Sequence, residues 1–213
     1  MRTMYDAVDP ADIPAGGDLV AGYLDGPLSK WPDAAWGKFA GKIRVGIAVF
    51  ASTNDGHVLD IENGDATPAE APGWVLRRRA AGADPSVYCG MSAWGEVRAA
   101  FQSGNIPEPH YWIADPTGQP HIPPGAVACQ WGFKGSYDVS SVMDYWPGVD
   151  NGQTWGDPVN PSPATPPAVP TEPAQDPAPA PPAPVPPPLP APDPVNVELA
   201  KGHLRQALQL LGG

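Results

Sequence analysis

Positive charge is scarce: 12 Lys and Arg stand against 23 Asp and Glu in 213 residues, a formal net charge of −11. A surface of that sign is repelled by nucleic-acid phosphates and anionic membranes, so no nucleic-acid or membrane partner is expected. The largest basic run is Arg77-Arg78-Arg79, which reads as the solvated face of a helix. Long apolar runs are missing too. No stretch approaches the ~20 residues of a membrane span. After Met1-Arg2 the chain passes straight into Met4-Tyr5-Asp6, and no signal peptide is expected. Cysteine is rare: Cys89 and Cys129 lack a C-x-x-C partner or a His at zinc spacing. They read as buried free thiols, with a disulfide as the alternative and no metal site expected. No glycine-rich phosphate loop follows the first candidate strand, as a nucleotide-binding sheet would require, and no cofactor is expected.

The aromatic residues stop early. All 18 of them (8 Trp, 6 Tyr, 4 Phe) lie at or before Trp155. Proline does the reverse: of 32 in the chain, 18 fall between Pro158 and Pro194, against an ordinary content of about 5%. Three parts follow. Residues 1–156 hold the side chains that build a core. Residues 157–196 form a Pro/Ala-rich linker, which favours a polyproline-like course on the order of 120 Å long at ~3.1 Å per residue. Residues 197–213 form a short amphipathic C-terminal helix, with Ala200, Leu204, Ala207, Leu208 and Leu211 at helical spacing. So short a helix is marginal alone in water. It is expected to meet a partner: a second copy, a larger assembly or the parent domain.

Within residues 1–156, apolar runs alternate with helical segments, the pattern of an α/β fold with a parallel sheet. Candidate strands cover 3–8, 19–24, 43–50, 57–61, 86–89, 110–114 and 126–131. The run 43–50, IRVGIAVF, is apolar through most of its length, as a strand covered on both faces is. Thr67-Pro68-Ala69-Glu70 reads as a capping box with Pro at the first helical position, opening a helix that runs to about Ala81 with Gly82 as its stop. A second helix is expected from Ser92 to Gly104, with Ala93, Val97, Ala100 and Phe101 on one face, and a shorter one over 32–39. A full eight-fold barrel usually needs ~200 residues or more. The expected architecture is therefore a trimmed, partly open parallel α/β barrel of TIM-like type.

The segment Gly56-His57-Val58-Leu59-Asp60-Ile61-Glu62-Asn63-Gly64 carries the most chemistry. Residues i and i+2 of a strand point to one side, so Asp60 and Glu62 project together. They do so at the C-terminal end of a strand, where α/β barrels place catalytic groups. Two neighbouring carboxyls divide their roles, one staying ionised while the other keeps a proton. Glycoside hydrolysis needs that division. Asp6 and Asp9 flank the end of the first strand, and Asp138 follows the last. Tyr23, Trp112, Trp131 and Tyr137 stand at or near strand ends, where aromatic rings stack on sugar faces; Trp112 and Trp131 taken singly read as core rather than as a sugar platform. Recurrence at one end of successive strands gives the set its meaning.

Tyr5-Asp6, Asp60-Ile61-Glu62, Tyr111-Trp112-Ile113-Ala114, Gln130-Trp131 and Tyr137-Asp138-Val139 resemble, in that order, the landmarks of glycoside hydrolase family 25, the lysozyme-type muramidases on an irregular α/β barrel. The resemblance covers about residues 3–145 and is closest to family-25-like domains of actinobacteria and their phages. It implies Glu62 as general acid, Asp60 as its partner carboxylate, and Asp6 and Asp138 as supporting acids. Tyr23, Trp112, Gln130, Trp131 and Tyr137 are the expected substrate-binding residues. The implied substrate is peptidoglycan, cut at the β-1,4 bond after N-acetylmuramic acid. Asp115-Pro116 departs from the family, which has an aromatic shortly after the Trp-Ile-Ala segment. Two uses are expected: a phage lysin active on the wall, or a virion protein such as a minor tail protein that keeps the barrel for glycan binding without turnover. Either sits in the virion, or in the host cytoplasm before it reaches the wall.

Overall fold

The computed structural model describes residues 1–27 and 29–151. The linker over 157–196 and the helix expected over 197–213 lie outside them. Eight strands close into a barrel: β1 (Arg2–Asp6), β2 (Leu19–Tyr23), β3 (Ile43–Ala48), β4 (Val58–Ile61), β5 (Ser86–Gly90), β6 (His110–Ala114), β7 (Ala128–Phe133) and β8 (Asp138–Val142). Strands β1 to β7 run parallel, each beside the next. β8 runs antiparallel to both β7 and β1 and shuts the ring.

The barrel expected from sequence is therefore present, but closed and poor in helices rather than partly open. The seven expected strands all occur, 110–114 with unchanged bounds and the other six with shifted ends, and the eighth was unforeseen. Its sequence DVSSV turns Asp138 and Ser140 toward the interior, so it lacks the apolar alternation by which strands are read. A tight turn returns the chain from β7, with Lys134 N–H donating to Tyr137 O at 2.9 Å and Gly135 at φ 90°.

Helices are few: α1 (Asp33–Trp36) followed by a 3₁₀ turn (Gly37–Phe39), α2 (Ala71–Ala80) and α3 (Trp94–Ser103). None of the described helices is long and apolar enough to cross a membrane. α2 starts later than its capping box predicts. The Glu70 carboxylate accepts from both the Thr67 N–H (2.9 Å) and the Thr67 hydroxyl (2.7 Å). The hydroxyl is thus spent on Glu70 instead of capping the helix, and residues 67–70 form a turn before Ala71. The arginine triplet is not a simply solvated face either. Arg78 donates to the carbonyls of Gly56 and Asn54, Arg79 to those of Pro107 and Glu108, and Arg77 to that of Ala51. These arginines staple α2 to the loops on either side of it.

Alternate residues of each strand fill the interior: Met4, Leu19, Ala21, Val45, Ile47, Val58, Tyr88, Trp112, Ala128 and Val142. The opposite set, including Leu59, Ile61, Val87, Cys89 and Ile113, packs outward against Trp74, Val75, Val97 and Phe101 of α2 and α3. Cys89 and Cys129 are buried and free. At the amino-terminal end of the parallel strands the Trp146 indole plugs the barrel, donating from Nε1 to Ser86 Oγ at 2.8 Å.

Asp150 locks that plug. Its carboxylate accepts both Arg2 guanidinium N–H groups at 2.7 Å and the Trp146 backbone N–H. Burial alone would raise its pKa, but these hydrogen bonds outweigh burial and hold it below the ordinary aspartate value. A pKa depressed by folding gives stability that is present above the unfolded value, about 3.9, and is lost as pH falls through the folded one. Asp150→Asn is expected to cost about 2 kcal/mol at pH 7 and to flatten the acid side of the stability profile. Urea melts at pH 7 and pH 3 check this; an unchanged pH slope in the variant would contradict it.

Candidate active site

The carboxyl ends of seven parallel strands and the start of antiparallel β8 share one mouth of the barrel. Inward-facing positions there carry polar groups. Asp6 ends β1 and Asp138 begins β8, directly opposite each other in the ladder and each 2% exposed. Two carboxyls so placed perturb each other's ionisation. Asp60 on β4 is buried beside Tyr88 of β5. Glu62, one residue past β4, is half-buried. Tyr23 ends β2, and Gln130 faces inward from β7.

The phenols report where the acids lie. Burial first, then the negative fields of Asp60, Asp6, Glu62 and Asp138, push the Tyr23 hydroxyl well above the ordinary tyrosine range. The Tyr88 hydroxyl is pushed up in the same way, by burial and then by Glu62, Asp60, Asp138 and Asp6. Both phenols therefore feel all four acids, and both stay protonated as hydrogen-bond donors. Tyr88 Oη donates to Gln130 Oε1 at 2.8 Å and lies 3.3 Å from Glu62 Oε1.

Two side chains that the sequence reading passed over belong to this mouth besides Tyr88. A turn with Gly64 at φ 105° and Asp65 N–H donating to Glu62 O at 3.1 Å carries Asp65 back toward the strand end. Carboxylate oxygens of Asp60, Glu62 and Asp65 lie within 4.8 Å of one another, the spacing a cation would need, though acids group this way without one. Phe133, in register with Asp138, stays 45% exposed. Tyr88 was legible as an alternate residue of a strand. The Asp65 turn was signalled by Asn63-Gly64. Phe133 was not legible, because a bulge between Gln130 and Gly132 resets the alternation.

The remaining predicted residues divide. Asp6, Asp60, Glu62, Asp138, Tyr23 and Gln130 are brought together. Trp112 lies in the interior, 1% exposed, donating from Nε1 to Ser140 Oγ at 3.1 Å and meeting the Tyr88 ring edge-on at 4.7 Å. It is a floor under the phenol and offers no open face. Trp131 is the extra residue of the bulge, half-buried, with the Lys134 ammonium 5.6 Å from its ring centroid. Tyr137 packs edge-on against Tyr5, 5.4 Å between centroids, and Tyr5 alternates with inward-facing Met4 and Asp6.

The histidine of the Gly-His-Val-Leu-Asp segment is a strand joiner. His57 Nδ1 accepts the Gly46 N–H at 3.0 Å and His57 N–H donates to Gly46 O at 2.8 Å, tying β4 to β3. Gly56 at φ 88° allows the approach; a Cβ there would stand 3.1 Å from Gly46 O. Asp115 also has a structural task, receiving His121 Nε2 at 2.9 Å and so anchoring the helix-less connection between β6 and β7.

Fold and site define a closed eight-stranded barrel with carboxyl and phenol groups gathered at the carboxyl ends of its parallel strands. Comparison with known proteins adds no relative: no family model, no curated protein and no solved structure matches the chain.

Proposed function

We propose that this protein is a peptidoglycan-directed glycoside hydrolase of the lysozyme (muramidase) type, on a TIM-like barrel trimmed of most of its helices. The observation that carries the reading is the contrast between Asp60 and Glu62. They occupy successive same-side positions at the mouth, yet Asp60 is 2% exposed while Glu62 is half-buried and reachable. A reachable carboxyl suits proton delivery to a leaving-group oxygen. A buried carboxylate suits stabilisation of the positive charge that develops on the sugar. Glu62 is the general acid in this reading, and Asp60 is its partner. Asp6 and Asp138 hold the negative field around them. Tyr23, Tyr88 and Gln130 contribute hydrogen-bonding groups to the same space. The exposed Phe133 ring offers an apolar face beside Asp138.

The protein acts, in this reading, as a phage product held through its Pro-rich spacer and C-terminal segment to itself or to a virion. The second reading, a silent virion protein that binds wall glycan, draws on the same spacer: 18 prolines suit a tether. The full-length chain incubated with purified actinobacterial peptidoglycan is expected to release new reducing ends. Cosedimentation with the wall without any release would favour the silent binder, and neither release nor binding would remove both readings.

A further inference from the structure

Tyr88 stands in register with Asp60 on one side and with Trp112 on the other. Its ring rests on the Trp112 indole at 62°, and it is 3% exposed, so the phenol has little room to turn. Its hydroxyl carries one proton and can donate one hydrogen bond. The shorter contact, 2.8 Å, takes that proton to Gln130 Oε1; the contact with Glu62 Oε1 is 3.3 Å. With the proton so placed, the Tyr88 oxygen turns a lone pair toward Glu62. The group that complements a lone pair is a carboxyl bearing its own proton, which is the form a general acid delivers from. Gln130 suits the task of fixing this direction. It is 2% exposed, and its Nε2 has no hydrogen-bond partner among the described residues, which leaves the bond from Tyr88 to orient the amide.

We infer that Tyr88 is a positioning residue for Glu62, accepting from the loaded carboxyl and holding it in one rotamer, and that Gln130 sets the direction of the Tyr88 hydroxyl. The groups facing Glu62 in this arrangement are Tyr88 from β5, Asp60 from β4 and Asp65 from the following turn. Asp6, Tyr23 and Asp138 stand on the same mouth, at the end of β1, the end of β2 and the start of β8. The inference rests on the reading of Glu62 as the general acid.

The test is steady-state kinetics of the full-length chain on soluble peptidoglycan fragments, comparing wild type, Tyr88→Phe, Gln130→Met and the double variant. Tyr88→Phe keeps the ring on Trp112 and removes the hydroxyl alone. It is expected to lower kcat about tenfold, the effect of one lost hydrogen bond, with KM within about twofold. Gln130→Met is expected to lower kcat less. The double variant should be no slower than Tyr88→Phe, because Gln130 acts through the hydroxyl that Phe lacks. If Gln130→Met melts early, Gln130→Asn, which shortens the reach by one methylene, replaces it. A Tyr88→Phe enzyme with full kcat, a loss confined to KM, or additive effects in the double variant would overturn the inference and leave the glycosidase reading standing. Absence of turnover by wild type would overturn both.

Discussion

Glu62→Gln is expected to lower the release of reducing ends from peptidoglycan by about 10²–10⁴-fold, the usual contribution of a general acid, with little change in KM. Glutamine keeps the shape and removes the proton that the leaving group must receive. Asp60→Asn is expected to lose about 10²-fold or more, since it removes the charge that steadies the developing cation. The two variants should not become less stable. Asp60, Glu62 and Asp65 crowd carboxylate oxygens within 4.8 Å, and Asp6 faces Asp138 across the β1–β8 ladder. Glu62→Gln exchanges a protonated, uncharged carboxyl for an amide of the same shape, whereas Asp60→Asn removes one charge from the group. The melting temperature should therefore hold in the first and hold or rise in the second as activity falls. That opposition separates a working acid from a structural one, whose loss would lower both. Thermal melts beside the kinetics read it directly. Full activity in Glu62→Gln would remove the assigned role, and an equal fall in stability and activity would make the acids part of the framework.

How far the sequence carries toward this picture depends on which physical signal each part uses. Strands β1 to β7 are short apolar runs with β-branched or aromatic residues, and their interior faces bury Met4, Leu19, Val45, Ile47 and Trp112. Hydrophobic periodicity finds such segments readily. β8 defeats the same reading for a reason tied to chemistry, because the positions that would be apolar in a structural strand are Asp138 and Ser140. Closure of the barrel was consequently hidden, and with it the face-to-face placement of Asp6 and Asp138. The Asp60–Glu62 pairing was visible, because it needs only the two-residue period of a strand and a position at its end. The aromatic residues were harder to place. Trp112, Trp131 and Tyr137 are each near a strand end, but alternation, a bulge and contact with Tyr5 send them to a floor, a bulge site and an outer pairing respectively. Sequence position says which end of the barrel a residue occupies. Local backbone geometry decides which way it turns, and a single extra residue in β7 changes the answer. The arginine triplet teaches the same lesson, since its carbonyl acceptors lie on loops 20 to 30 positions away.

The largest loss of stability is expected at the opposite end of the barrel, from Gly148→Ala. Gly148 sits in the turn that delivers Trp146 to the barrel floor, where Val149 and Asp150 N–H groups both donate to Trp146 O. Its φ is +82°, a conformation that costs an L-residue roughly 1–2 kcal/mol. Space is the greater difficulty. A Cβ at this position would lie 1.9 Å from the carbonyl oxygen of Asp84 and 2.9 Å from its carbon. Neither atom can move freely, because Ser86, two residues on, begins β5 and holds the Trp146 indole. The turn must therefore shift, loosening the indole, the bond from Trp146 to Ser86 and the Arg2–Asp150 pair together. Overpacking of this kind costs about 1–3 kcal/mol beyond the backbone strain, for a total of about 4 kcal/mol and a melting temperature lower by roughly 10 °C or more. Gly37→Ala is the control, since a Cβ there meets nothing within 4 Å and its φ is −61°; it should change stability by less than about 1 kcal/mol. Calorimetry of the three proteins decides the matter, and a Gly148→Ala protein that melts with wild type would mean the plug does not hold the barrel shut. Below its own transition the variant should keep its kcat, because the mouth acids lie at the far end of the strands from the plug. The floor secures the fold and the mouth carries the chemistry, so a floor mutation should lower stability and spare kcat, and a mouth mutation should do the reverse.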